Sequence, residues 1–344
     1  MLLALKENSE SWERWENPPV DIYFNVYIFN VNNPEEILRG SLPKVTEYGP
    51  YVYKEKRSKK VLSVNEETGV IKYKDDISFE FDEESSGNLK EDDVYTVVNL
   101  QALILSQIVD NLKVINPVIK LVDTALNKIW PTENSNPMFI KTSVKEFLFG
   151  KLPLLCNQTS SVNNVDTKVI CEAIRLIKSK TIVLDDLGKN VHSFSVFGYK
   201  NRTSDEVYEI DSGIYDITKI GTILSWNNMT TLNNWKGKSC NRISGTDATI
   251  FRPYLDMDGI DSINVFNGEI CRSIKLTSDG YVHFKGVWGK RYIADKNVFA
   301  SVLENDKNYC FCPGSIKKLT HVNGCLKSGI LDLSSCQGLN VVVV

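Results

Sequence analysis

The chain has 344 residues, of which 42% are hydrophobic, 24% charged and 10% aromatic, a globular balance that excludes low-complexity and collagen-like architectures. A formal net charge of −3 excludes nucleic-acid binding by bulk positive charge. The three histidines, His192, His283 and His321, lie far apart in sequence and argue against a histidine-rich metal site.

Met1 to Glu7 has neither the apolar length nor the basic flank of a signal peptide. After the turn Glu16-Asn17-Pro18-Pro19, residues 20–29 are rich in β-branched and aromatic side chains and read as a strand. Asn33 is placed to cap a short helix with Pro34 in its first turn. Tyr48-Gly49-Pro50-Tyr51-Val52-Tyr53 opens a second strand, and further strands are expected at 61–64 and 70–73, joined through Glu66-Glu67-Thr68-Gly69. Residues 75–93 hold nine Asp or Glu against one Lys and read as a solvated loop, since no alternating calcium-loop pattern appears.

From Val94 to about Lys180 the pattern turns helical, with Leu100, Leu103, Ile104, Ile108 and Leu112 at spacings of three and four. The longest apolar-rich stretch, Val97 to Val109, is broken by Asn99, Gln101, Ser106 and Gln107, so it reads as a core helix and not a membrane span. Pro117 breaks or kinks that helix, residues 118–129 resume it, 142–150 look like a capped helix ending at Gly150, and 169–177 suggest another. Residues 111–190 carry 11 Lys or Arg and 7 Asp or Glu, a net +4 that leaves −7 on the rest. From Lys189 onward strand-like runs return, as at 193–198 and 262–266. With no repeat and no linker, the chain reads as one domain over residues 1–344, mixed but mainly β, with a basic helical insertion over 94–180 in an acidic β body.

Enzyme motifs are missing: there is no Gly-x-Ser-x-Gly elbow, His-Glu-x-x-His, P-loop or Gly-x-Gly-x-x-Gly. Asp185-Asp186 places neighbouring carboxylates on opposite faces of a strand, and His283 in Tyr281-Val282-His283-Phe284 reads as an ordinary strand histidine. No catalytic residue, no metal site and no cofactor is therefore expected. The cysteines are more informative. Six of the eight fall between Cys240 and Cys336, without a Cys-x-x-Cys pair, and three Asn-x-Ser/Thr sequons start at Asn157, Asn201 and Asn228. Together they point to an oxidised, extracytoplasmic and glycosylated domain. Cys310 and Cys312, two apart on a strand, would strain a direct bridge and so need different partners, which still leaves 12 of the 15 pairings of six cysteines open.

Several ordered segments closely resemble the class B scavenger receptor (fatty-acid translocase) family. They are Tyr27-Ile28-Phe29-Asn30-Val31-Asn32-Asn33-Pro34-Glu35-Glu36, Gly49-Pro50-Tyr51-Val52-Tyr53, Trp226-Asn227 with Trp235, and Cys240 followed by Ser244-Gly245-Thr246-Asp247. Glu269-Ile270-Cys271-Arg272-Ser273-Ile274, Arg291-Tyr292-Ile293, Phe299-Ala300-Ser301, Glu304-Asn305 and Asn308-Tyr309-Cys310-Phe311-Cys312 complete the set. The resemblance implies a large antiparallel β-barrel-like body, topped by an apical helical bundle and crossed by a hydrophobic tunnel. It implies an ectodomain anchored by a transmembrane helix at each end, on the extracellular side of the plasma membrane or, alternatively, in the lysosomal membrane. It implies the disulfides Cys240–Cys310, Cys271–Cys336 and Cys312–Cys325, leaving Cys156 and Cys171 as a fourth pair, and it nominates Lys128, in Leu126-Asn127-Lys128, for binding a fatty-acid carboxylate.

The implied function is a cell-surface receptor that binds and transfers fatty acids, lipoproteins or anionic phospholipid surfaces, with neither nucleic acid nor cofactor involved. A trafficking receptor that carries a hydrolase on its apical helices, or a sensory-neuron coreceptor for lipid ligands, are the alternatives. Where the family usually has prolines, Val302 and Asp306 stand here. The family also continues beyond the position of Gly338 through further strands into its second membrane helix, so the chain reads as truncated at both ends.

Overall fold

The computed structural model describes residues 3–20, 22–100, 102–103, 138–150, 152–155, 185–186, 191–194, 197–284, 286–312, 325–337 and 342–343. Helix α1 (Glu10–Glu16) starts where the Ser9 hydroxyl accepts from the Trp12 amide at 3.2 Å, and it buries Trp12 and Trp15, three apart on one face. Strand β1 (Ile22–Val31) follows, then α2 (Pro34–Leu38). Asn33 stands at the cap of α2, yet its side chain turns to the loop instead, accepting from the Lys44 amide and donating to the Leu42 carbonyl.

Strand β2 (Val45–Asn65) is 21 residues long and joins the two strands expected at 48–53 and 61–64 into one. It pairs antiparallel with β3 (Val70–Phe81), from Tyr53 opposite Phe81 to Asn65 opposite Val70. The acidic stretch 75–93 is thus not a loop throughout. Its first part completes β3, because alternation brings Ile77, Phe79 and Phe81 onto one face, and Asp82 then caps α3 (Glu83–Ser86). The helical reading of 94–180 also needs correction at its start. Val94-Tyr95-Thr96-Val97-Val98 forms β4 (Val94–Val98), paired with β5 (Phe139–Ser143), since its β-branched and aromatic residues suit a strand. Helical backbone begins only at Leu100, where Asn99 Oδ1 accepts from the Ala102 amide. Ser143 caps α4 (Val144–Leu148), as read from the sequence, and the turn closes at Gly150. Residues 139–143 and 152–155, also inside the expected helical insertion, are strands, while 118–129 and 169–177 lie outside the described residues.

Strands β6 (Leu152–Leu155), β7 (Asp185–Asp186) and β8 (Val191–Phe194) form a small sheet in the order β6-β8-β7. Then come β9 (Tyr208–Asp211), β10 (Ile223–Trp226), β11 (Ser262–Asn267), β12 (Arg272–Phe284) and β13 (Val287–Ala294). A 3₁₀ helix, Asp306–Phe311, leads to β14 (Leu331–Asp332), α5 (Ser334–Gln337) and β15 (Val342–Val343). The main sheet runs β1-β2-β3-β9-β10, and β11-β12-β13 forms a second. Among the described residues no sheet closes on itself, so the mainly β character is present without a closed barrel.

Among the described residues, two apolar clusters hold these elements together. One gathers Trp12 and Trp15 with Ile71, Tyr73, Tyr208, Ile210, Trp226 and Phe266, under the β3-β9-β10 side of the main sheet. The other gathers Val26, Ile28, Tyr51, Tyr53, Val97, Val144 and Leu148, and so docks β4 and α4 on β1 and β2. Gly245, at φ +95, lets residues 244–247 lie directly on β11, where any Cβ would overlap the Asn264 carbonyl. The Ile223 amide donates to the Gly245 carbonyl at 2.9 Å, so this glycine links β10 to the second sheet.

Candidate functional site

Strand β1 alternates as a half-buried strand should, but its outer face is aromatic. Val26 and Ile28 are buried, while Tyr23, Tyr27 and Phe29 stay 47%, 49% and 55% exposed. Gly49 permits this arrangement, because a side chain there would meet the Tyr27 ring and the Val26 carbonyl. A second apolar surface lies at the closed end of the β12-β13 hairpin, where Tyr281, Phe284, Val287 and Trp288 are all more than half exposed. His283 is exposed there and pairs across the ladder with Trp288, their rings 5.1 Å apart. Apolar surface gathered in this way, rather than scattered singly, marks a place that meets something other than water.

The cysteine-rich lobe lies beside the second sheet. Disulfides join Cys240 to Cys310, Cys271 to Cys336 and Cys312 to Cys325, with Cα separations of 6.2, 5.7 and 4.7 Å. Cys310 and Cys312 do not share a strand face as the sequence suggested. They sit in and just after the 3₁₀ helix, and with about three residues per turn, side chains two apart diverge. Trp235 braces the lobe, its indole N–H donating to the Cys271 carbonyl at 2.6 Å and its ring meeting Phe311 edge-on at 5.1 Å.

Two sequons stand on exposed backbone. Asn228 follows Asn227 in a tight turn, with φ values of 61 and 51, closed by reciprocal backbone bonds between Trp226 and Met229. Asn201 follows the 3₁₀ turn Gly198–Lys200. Each uses only its Oδ1 among the described residues, accepting from Lys72 Nζ at Asn228 and from the Phe79 amide at Asn201, so Nδ2 is left for a glycan. In cells that glycosylate secreted domains, Asn201→Gln and Asn228→Gln are each expected to remove one mobility step that endoglycosidase also removes. Unchanged gel mobility would contradict glycosylation at these sites.

A charge cluster missed by sequence reading lies in the core. Lys59, on β2, has no exposed side-chain surface; its Nζ lies 2.7 Å from Asp247 Oδ2 and 3.2 Å from Asp75 Oδ1. The same ammonium sits 4.6 Å from the Tyr73 ring centroid and 5.6 Å from that of Trp15. Asp247 also accepts from the Tyr73 hydroxyl, the Thr249 hydroxyl and the Thr249 amide. Burial works to raise the Asp247 carboxyl, but Lys59 and these hydrogen bonds outweigh it and hold it at about 2. At Asp75 burial wins and raises the carboxyl. The burial and saturated contacts of this cluster suit a structural lock.

Lys128, Cys156, Cys171 and Asn157 lie outside the described residues, so the apical part of the expected site is not placed. Among the described residues no cluster of metal-ligating side chains occurs, and no helix is long and apolar enough to cross a membrane.

Comparison with known proteins gives a consistent picture. The family model described as the CD36 family matches residues 1–344. Sensory neuron membrane protein 2 of Anopheles gambiae is 31% identical over 389 residues, covering 98% of this chain and 66% of the relative. Sensory neuron membrane protein 2 of Heliothis virescens is 32% identical over 338 residues, covering 98% of the chain and 62% of the relative. Sensory neuron membrane protein 1 of Apis mellifera is 31% identical over 341 residues, covering 99% of the chain and 61% of the relative. The chain therefore spans slightly less than two thirds of the length of these relatives.

Proposed function

The chain belongs to the CD36 family, and from that premise we propose that it is the ligand-handling body of a membrane receptor of sensory neurons, held on the extracellular side of the plasma membrane, that binds lipid-type ligands and passes them on. The observation that carries this reading is the match of the whole chain to the family together with relatives named as sensory neuron membrane proteins. The three disulfides fit an oxidising compartment, and the exposed aromatic face of β1 fits contact with apolar ligand or lipid. In this reading the basic segment 111–190 attracts anionic phospholipid surfaces, and Lys128 pairs with a fatty-acid carboxylate at the mouth of an apolar tunnel.

The test is made on the complete receptor, expressed with its membrane anchors. It is expected to bind a labelled long-chain fatty acid and to bind anionic liposomes in a salt-sensitive way. Lys128→Ala is expected to weaken fatty-acid binding by about 10- to 100-fold, the worth of one charge-assisted contact of about 1.5–3 kcal/mol, while liposome binding is largely kept. Equal fatty-acid affinity in mutant and parent would remove Lys128 from the site. Failure of the parent to bind any lipid would overturn the receptor reading itself.

A further inference from the structure

The Cys240–Cys310 bridge ties two segments of the cysteine-rich lobe side by side, with Cα atoms 6.2 Å apart and the Lys236 amide donating to the Cys310 carbonyl at 3.1 Å. The first segment carries Lys236, Lys238 and Arg242, and the second carries Lys307 in the 3₁₀ helix Asp306–Phe311. At no more than about 3.8 Å of chain per residue, all four Cα atoms lie within about 12 Å of the bridge. All four residues are exposed, and none has a carboxylate partner among the described residues. Cations elsewhere on the body are commonly paired, as in Lys44–Glu36, Lys56–Glu80 and Lys219–Asp216. Across residues 236–242 and 306–311 the only acid is Asp306, against four cations.

Unpaired cations gathered on an otherwise acidic body make a local positive field, and an anion of matching charge relieves their mutual repulsion. The arrangement narrows the form of that anion. Exposed side chains strung along two bridged segments suit a linear polyanion, which meets them in succession, better than a small anion, which one or two of them would satisfy. Gly237, at φ +93 between Lys236 and Lys238, has nothing near the position of a Cβ and leaves the surface open there. Tyr309, 55% exposed in the same 3₁₀ helix as Lys307, adds an aromatic ring of the kind that packs against the C–H face of a sugar. We propose that this strip of the cysteine-rich lobe binds a sulfated glycan chain. The proposal shares the extracellular placement of the lipid-receptor reading but uses none of its lipid contacts.

The test uses the complete receptor in a non-ionic detergent and a heparin octasaccharide, with the fully desulfated octasaccharide as comparison. Saturable binding of the sulfated form is expected, falling steeply with salt as counterions are released, and far weaker binding of the desulfated form. Lys236→Glu combined with Lys238→Glu is expected to weaken heparin binding about tenfold or more, and Arg242→Glu and Lys307→Glu about three- to tenfold each. Lys6→Glu combined with Lys60→Glu, at two exposed lysines outside the lobe, makes the same change in net charge and is expected to leave binding unchanged. Tyr309→Ala is expected to weaken binding without altering its salt dependence. Fatty-acid binding, measured in parallel, is expected to persist in every variant, which separates this proposal from the lipid-receptor reading. Equal affinity in the lobe pair and the control pair would remove the strip from the site, and equal binding of the desulfated form would remove the sulfate. Loss of anionic-liposome binding in the lobe variants, with heparin binding kept, would make the strip a lipid-facing surface. Each of these results overturns the proposal, as does a parent that binds fatty acid but no heparin.

Discussion

Lys59→Ala is expected to lower the unfolding free energy by about 3–5 kcal/mol, the cost of leaving a buried charge without its partner. The ammonium is fully enclosed and is the cationic partner of both Asp75 and Asp247, so its loss strands two carboxylates in the core. The Trp15 and Tyr73 rings beside it, set edge-to-face, also lose a cation. Denaturant midpoints at neutral pH give the size of the effect. The pH dependence identifies its origin. Because Asp247 is held at about 2 in the folded state, below its ordinary value near 3.8, it contributes stability that is fully present above that value. This contribution is lost as the pH falls from about 4 through 2. Asp75, raised by burial, works in the opposite direction: its share is present below the ordinary value and lost as pH rises through the raised one. In Lys59→Ala the acid loss of stability should move to higher pH, since Asp247 then takes up its proton earlier. An unchanged acid limb would show that the ammonium does not hold this carboxylate down.

Replacing Cys271 and Cys336 together by serine is expected to cost about 4 kcal/mol by the chain-entropy relation for a loop of this length. The bridge spans 65 residues, and both cysteines belong to the larger apolar cluster, so the change also puts two hydroxyls into the core. Its loss should loosen the lobe around Trp235, whose indole donates to the Cys271 carbonyl. Equilibrium unfolding with the other bridges intact measures the effect. Peptide mapping without reduction tests the framework: linked peptides are expected for Cys240–Cys310, Cys271–Cys336 and Cys312–Cys325. A Cys310–Cys325 peptide, or a free thiol among the six, would contradict it.

What the sequence disclosed follows from how local each feature is. Strand β1 and the Ser143 cap depend on neighbours in the chain, and both are legible in composition and spacing. The acidic run after residue 75 looked solvated because its counter-charge is remote. Lys59 is 16 positions from Asp75 and 188 from Asp247, and no local pattern records that meeting. Strand β4 was absorbed into the helix that follows it, since the apolar spacing from Leu100 masks the change of period at Val98. Cys310-Phe311-Cys312 needed two partners for a reason the sequence did not show, a 3₁₀ turn in place of a strand. Arg272 stood in a family-like segment, yet its burial against Phe311 and its missing counter-charge appear only in three dimensions.

Strands β2 and β3 pass through both apolar clusters, with Tyr51, Tyr53, Phe79 and Phe81 in one and Val61, Val64, Ile71 and Tyr73 in the other. Their ladder is continuous except for a single register shift between Val61 and Ser63. Neither cluster can therefore open without disturbing hydrogen bonds that also frame its neighbour, and the two behave as one cooperative unit. Amide protons at the centre of this ribbon are therefore expected to exchange with solvent only on global unfolding, which native-state hydrogen exchange checks.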